Sequence, residues 1–131
     1  MLPDPNKLSV HAVIFDMDGT LIDSIDIYFK IVEVALERLK LPQVSRKKIL
    51  EAAENGDFNW EVVLPDEVHH KKDGIIGEAW EIINEIAPQM FAENLKLIRG
   101  ADNILQRISK SIPRIGLVTS TQRKYLKTKM Q

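Results

Sequence analysis

The sequence predicts an α/β protein in which two parallel strands flank an all-helical block. Two short apolar runs, 10–15 and 115–118, each stop abruptly in a polar turn. Between them, from Ile25 to Lys96, the apolar residues recur with helical spacing and no convincing strand intervenes. A strand, crossover and strand of this order runs parallel and right-handed.

Residues Met1 to Lys7 read as a loosely held tail. Val10 to Phe15 is rich in β-branched residues and nearly continuous in hydrophobicity, the pattern of a parallel strand covered on both faces. Ile25 to Lys40 places Ile27, Phe29, Ile31, Val32, Leu36 and Leu39 along an amphipathic helix, started by Ser24 or Asp26 and ended by Leu41-Pro42. Ser45 opens a second helix over Arg46–Glu54, which Asn55-Gly56 closes in a left-handed turn. Asp57–Leu64 and Asp66–Lys72 are short helical pieces parted by Pro65, and Asp73-Gly74 reads as a turn. Ile75–Ala87 is a helix stopped by Pro88, followed by a short one from Gln89 to Lys96. Ala101–Ser109 is helical, Ile115–Val118 is the second buried strand, and Gln122–Met130 is a helix with Lys and Arg on its exposed side. The resulting division is a core of 1–23 with 97–131 and a helical block of 24–96.

The chain has 131 residues, enough for one domain or a small domain with an insertion. Hydrophobic residues make up 44% and charged residues 28%, as in globular proteins. The net charge of −1, with both signs interspersed, points away from nucleic acid and from a membrane surface. No apolar run approaches the ~20 residues of a membrane span. Absence of cysteine excludes disulfides and a thiol nucleophile. The polar, proline-bearing start MLPDPNK matches neither a signal nor a transit peptide, so a cytoplasmic location is expected.

The chemistry concentrates at Asp16-Met17-Asp18-Gly19-Thr20. Two ionised carboxylates so close repel each other and require a cation or a working role. Gly19 permits a sharp turn, and in open α/β sheets reactions take place past the carboxyl ends of strands. A second cluster, Thr119-Ser120-Thr121, follows the other strand. A hydroxyl and free N–H groups at a helix start form an anion site, although the same residues also make an ordinary helix cap.

DMDGTLIDS resembles the first motif of the haloacid dehalogenase-like (HAD) superfamily, and GLVTSTQR resembles its second. The resemblance implies a partial Rossmann-like core and makes the helical block a cap like that of phosphoglycolate phosphatase-like and β-phosphoglucomutase-like members. It implies that Asp16 is the nucleophile that becomes phosphorylated and that Asp18 is the general acid and base. Asp16 and the Asp18 carbonyl would bind Mg2+. Thr119, with the Ser120 amide and the Gly19 turn, would hold the phosphoryl group. An acid at Asp18 favours phosphomonoester hydrolysis or phosphomutase chemistry over C–halogen or C–P cleavage, with a small phosphorylated metabolite as substrate. The family also uses a later lysine and later acids. Here Lys124, Lys127 and Lys129 lie on the first helix after Thr119, and no acidic residue follows Asp102. The chain is thus expected to be truncated after the second motif, with weak magnesium binding and an uncovered sheet edge prone to self-association. A catalytically idle assembly module, or a fragment completed by another chain, are the alternatives.

Elsewhere, the His69-His70-Lys71-Lys72 stretch reads as a solvated helix end, Trp60 and Trp80 as core packing, and His11 as structural.

Overall fold

The computed structural model describes residues 9–119, 121 and 123–130. They form two compact units, one of Met1–Asp23 with Lys96–Thr119 and one of Ser24–Leu95 with Ser120–Gln131. The helix Arg123–Lys129 therefore groups with the other helices, whereas the sequence reading places it with the strands.

In the first unit β1 (Ala12–Asp16) pairs in parallel with β4 (Arg114–Val118), from Ala12 opposite Arg114 to Asp16 opposite Val118. The expected α/β class and parallel pairing are present. A second, two-residue antiparallel pair joins β2 (Ile22–Asp23) to β3 (Lys96–Leu97), reinforced by the Ile98 amide donating to the Leu21 carbonyl at 2.9 Å. This pair clamps the two chain ends from which the helical insertion departs and returns. A pair so short has no periodicity of its own, so the sequence does not reveal it. Gly100, at φ +87°, turns the chain into α5 (Ala101–Ser111).

The expectation that these strands are buried on both faces is overturned. Ile14 is 68% exposed, Val118 58%, Ile115 42% and Leu117 38%. Continuous apolar runs of this kind arise where layers cover a parallel sheet on both sides. Among the described residues this sheet has two strands, and the unit's buried apolar residues are few: Met17, Ile22, Ala101 and Ile112.

The second unit holds α1 (Ile25–Arg38), α2 (Arg46–Ala53), α3 (Trp60–Val63), a 3₁₀ segment (Asp66–Lys71), α4 (Lys72–Asn94) and α6 (Arg123–Lys129). Its core centres on α1 against α4. Ile27, Ile31, Ala35 and Leu36 lie buried in one cluster with Ala79, Ile83, Ala87 and Phe91. The alanines let the two helices approach closely, and Arg38 reaches Glu85 at 3.2 Å along their exposed flank. Trp60 packs edge-on to Phe58 and Trp80, at 4.8 and 6.0 Å between ring centres, in keeping with the structural reading of both tryptophans.

Local chemistry sets several helix ends. Ser45 Oγ accepts from the Lys48 amide and Asn59 Oδ1 from the Glu61 amide. At the end of α1 the Leu41 amide bonds to the Leu36 carbonyl and the Lys40 amide to the Glu37 carbonyl, with Lys40 at φ +56°. This is a Schellman cap with a lysine where glycine is usual, so α1 stops on its own hydrogen bonds before Pro42 is reached.

Two predicted breaks do not occur. α4 runs unbroken through Asp73-Gly74 and through Pro88. An internal proline forfeits one helical hydrogen bond and costs about 3 kcal/mol. Burying a single large apolar side chain recovers about 1.5–3 kcal/mol, and here Ile83 and Phe91 are buried on either side of Pro88, with Ala79 and Ala87 alongside.

Candidate active site

The turn after β1 is built around one carbonyl. The amides of Thr20, Leu21 and Ile22 all converge on the Met17 oxygen, at 3.3, 2.9 and 3.1 Å. The Gly19 amide donates to the Ile22 carbonyl at 2.9 Å, with Gly19 at φ +78°. Met17 is buried and anchors the turn, while Asp16 before it is exposed and Asp18 after it is half-buried. Strand alternation carried past Asp16 thus sends the methionine inward and leaves the carboxylates toward the open end.

Thr20 Oγ1 lies 3.5 Å from Asp16 Oδ2. Thr119, the first residue past β4, places its Oγ1 3.5 Å from Asp18 Oδ2. Both distances are at the long end for hydroxyl donors. The parallel register explains the second contact. Since Asp16 is opposite Val118, the residues that follow each strand emerge side by side.

Of the residues singled out in the sequence, Asp16, Asp18, Gly19 and Thr119 thus cluster at the carboxyl ends of β1 and β4. The Gly19 amide is engaged within the turn, so its contribution is to the turn's shape. Ser120 lies outside the described residues. Thr20 was not singled out; its signal was a hydroxyl four positions after Asp16, inside the same motif.

Magnesium takes near-octahedral oxygen ligands and usually keeps several waters beside one or two carboxylates and a substrate phosphate. The Asp16 carboxylate and the Asp18 carbonyl are hard oxygen donors of that type and fit part of such a shell. Among the described residues no group of three or more His, Cys, Asp or Glu side chains is placed to hold a metal. No described helix is long and apolar enough to cross a membrane.

Several charged residues are engaged within the helical unit. Lys72 pairs with Glu61, whose carboxyl is held below its ordinary range first by that hydrogen bond and then by the lysine's charge. His69 Nε2 lies 3.1 Å from the Leu64 carbonyl. A cleft of 360 Å³ between Leu39, Leu41, Val68 and Ile75 has Lys71 and Glu78 in its wall. Lys129 departs from the expectation of an exposed basic face on α6. It is 5% exposed, bonds to the Tyr28 hydroxyl and to Thr121 Oγ1, and sits 4.7 and 4.6 Å from the ring centres of Tyr28 and Phe91.

Among curated proteins none matches the chain. Solved structures with the same fold include a haloacid dehalogenase-like family hydrolase from Streptococcus pneumoniae, with a TM-score of 0.63 and 22% identity over 92% of this chain and 58% of that one. A protein titled as a candidate phosphatase from Clostridium difficile gives 0.64 and 20%, over 93% of this chain and 54% of that one. A haloacid dehalogenase-like protein of unknown function from Agrobacterium tumefaciens gives 0.52 and 19%, over 92% and 51%. The chain thus spans between 51% and 58% of the length of these structures. The family model for haloacid dehalogenase-like hydrolases matches residues 13–131, so nearly the whole chain, with both aspartates of the turn and Thr119, is covered. This chain belongs to the haloacid dehalogenase-like hydrolase family.

Proposed function

We propose that the protein is a phosphatase that hydrolyses a small phosphorylated metabolite through an aspartyl-phosphate at Asp16. One observation carries this reading: an exposed carboxylate at the tip of β1 lies beside a second acid and two hydroxyls, Thr20 and Thr119.

In the first step an Asp16 oxygen attacks phosphorus while the ester oxygen leaves, taking a proton from Asp18. In the second, Asp18 recovers a proton from water, the resulting hydroxide attacks the phosphorus, the bond to the Asp16 oxygen breaks, phosphate leaves and the Asp16 carboxylate is regenerated. Met17 alone separates nucleophile and acid, which keeps Asp18 within reach of both the leaving oxygen and the water. The Thr119 hydroxyl would donate to a phosphoryl oxygen once substrate competes for it with Asp18. Asp16 and the Asp18 carbonyl would hold the Mg2+ that the family generally uses, and the ion would offset repulsion between carboxylate and phosphate. The helical unit would act as the cap that shields the reaction from water and selects the substrate, and the cytoplasm is the compartment proposed for it.

The test is turnover of p-nitrophenyl phosphate with and without Mg2+, in the parent chain and in Asp16→Asn. Activity that survives the substitution would end the proposal. The exposed β1–β4 ribbon supports a second reading, an assembly module without turnover; an inactive but self-associating parent chain would favour it.

A further inference from the structure

We infer that the cleft between the end of α1 and the start of α4 binds a small zwitterion with an apolar body, a hydrophobic dipeptide being the occupant that its size and charges fit. The whole cleft lies inside the helical unit, and no residue of the turn after β1 lines it. Its volume of 360 Å³ falls within the range of about 300–1,000 Å³ usual for small-molecule sites.

Two local features keep this space open. Lys40 stands at φ +56° in the turn that ends α1, an unfavourable conformation for a residue with a side chain. It is exposed, while Leu39 and Leu41 on either side of it both line the cleft. Backbone strain of this kind collects at ligand clamps. On the facing wall Gly74 lies inside α4, where glycine weakens a helix relative to alanine. A Cβ built on Gly74 meets nothing within 4 Å, and its φ is not positive, so neither packing nor backbone calls for glycine there. What the missing side chain leaves is room in the cleft.

The walls select the occupant. Leu39, Leu41, Val68 and Ile75 are half-buried against the helical core and give the cleft an apolar floor. Lys71, Gly74, Ile75 and Glu78 follow helical spacing, so an ammonium and a carboxylate stand at opposite ends of one face. Seven residues of helix separate their backbones by about 10 Å. Among the described residues neither charge has an ion-pair partner, whereas the adjacent Lys72 is taken by Glu61. A fatty acid would satisfy Lys71 but lay its tail against Glu78, and an alkylamine would do the reverse. A dipeptide spans about 7 Å between its charged ends, and the two long side chains close the remainder. Its carboxylate pairs with Lys71, its ammonium with Glu78, and its apolar side chains cover the floor.

Titration of the full chain with leucyl-leucine, followed by amide NMR shifts, tests the inference. Binding should saturate with a Kd on the order of 1 mM or tighter and should shift the amides of Leu41, Gly74 and Ile75. Lys71→Met and Glu78→Gln each keep a stem and remove one charge, and each should weaken binding about three- to tenfold. Gly74→Leu fills the cleft and should abolish binding, whereas Gly77→Leu, on α4 but outside the lining, should leave it unchanged. All four positions are exposed, and an unchanged far-UV circular dichroism spectrum checks the fold of each variant. N-acetyl-leucyl-leucine, which lacks the ammonium, should bind more weakly than the dipeptide and equally to the parent and to Glu78→Gln. No saturation by about 20 mM dipeptide, shifts away from the cleft, or binding indifferent to Gly74→Leu would overturn the inference. Octanoate or the acetylated peptide binding as tightly as the dipeptide would overturn it too. No variant touches Asp16, so the outcome is separate from that of the phosphatase assay.

Discussion

Thr119 Oγ1 sits 3.5 Å from Asp18 Oδ2 although 101 positions separate the two residues. The parallel β1–β4 ladder places both at the same end of one sheet. A hydroxyl that meets an acid in this way can pass to an anionic ligand when the acid is protonated.

Removing each group should therefore have a graded effect. Asp16→Asn should abolish turnover of p-nitrophenyl phosphate. Asp18→Asn should lower kcat by about 10²–10⁴-fold, the usual worth of a positioned acid and base. Thr119→Val should lower kcat/KM by about 10–100-fold, the loss of one hydrogen bond to a charged group. Steady-state kinetics with Mg2+ present reads all three.

Lys129 holds α6 to the other helices through the Tyr28 hydroxyl and the ring faces of Tyr28 and Phe91. Tyr28→Phe keeps the rings and removes one acceptor, so it should destabilise the unit by about 1–2 kcal/mol. Lys129→Ala also removes the stem packed on Tyr28 and Phe91 and should cost about 2–3 kcal/mol. Urea unfolding measures both, and hydrogen exchange should show α6 opening first in each variant.

Lys40 and Pro88 are positions where substitution should stabilise. Lys40→Gly relieves a left-handed backbone at φ +56° and should contribute about 1 kcal/mol. Pro88→Ala restores a helical donor at an exposed site of α4 and should contribute about 1–3 kcal/mol. Thermal unfolding of the two single variants and the pair should show additive gains, provided α4 keeps its course.

The Glu61–Lys72 pair makes a pH prediction with a definite sign. The Glu61 carboxyl is lowered, so its stabilising contribution is present above the ordinary glutamate range and disappears as pH falls through the lowered value. Lys72 is raised by the same hydrogen bond, so its contribution is present below the ordinary lysine range and disappears as pH rises through the raised value. An NMR titration should find the Glu61 midpoint below that of an unpaired glutamate. Lys72→Met should return it to normal, and added salt should shrink the difference.

Much of the site was legible before folding was considered. An apolar run ending in Asp16-Met17-Asp18-Gly19-Thr20 announces a strand tip with reactive groups, because strand and turn preferences act over a few residues. The same local physics determined α1, α2, the cap at Ser45 and the left-handed turn at Gly56. The breaks assigned to Gly74 and Pro88 failed because a penalty of a few kcal/mol was weighed without the burial that offsets it. Tertiary packing also decided that Lys129 is enclosed by Tyr28 and Phe91, and that α6 belongs with the helices. β2 and β3 exist only because residues 22–23 and 96–97 meet. The sequence by itself determined most of the longer elements and the polar turn that ends β1, since those depend on neighbours along the chain. Only the tertiary structure decided which helix survives its breakers, which lysine is buried and which threonine meets Asp18, because burial and long-range register depend on neighbours in space.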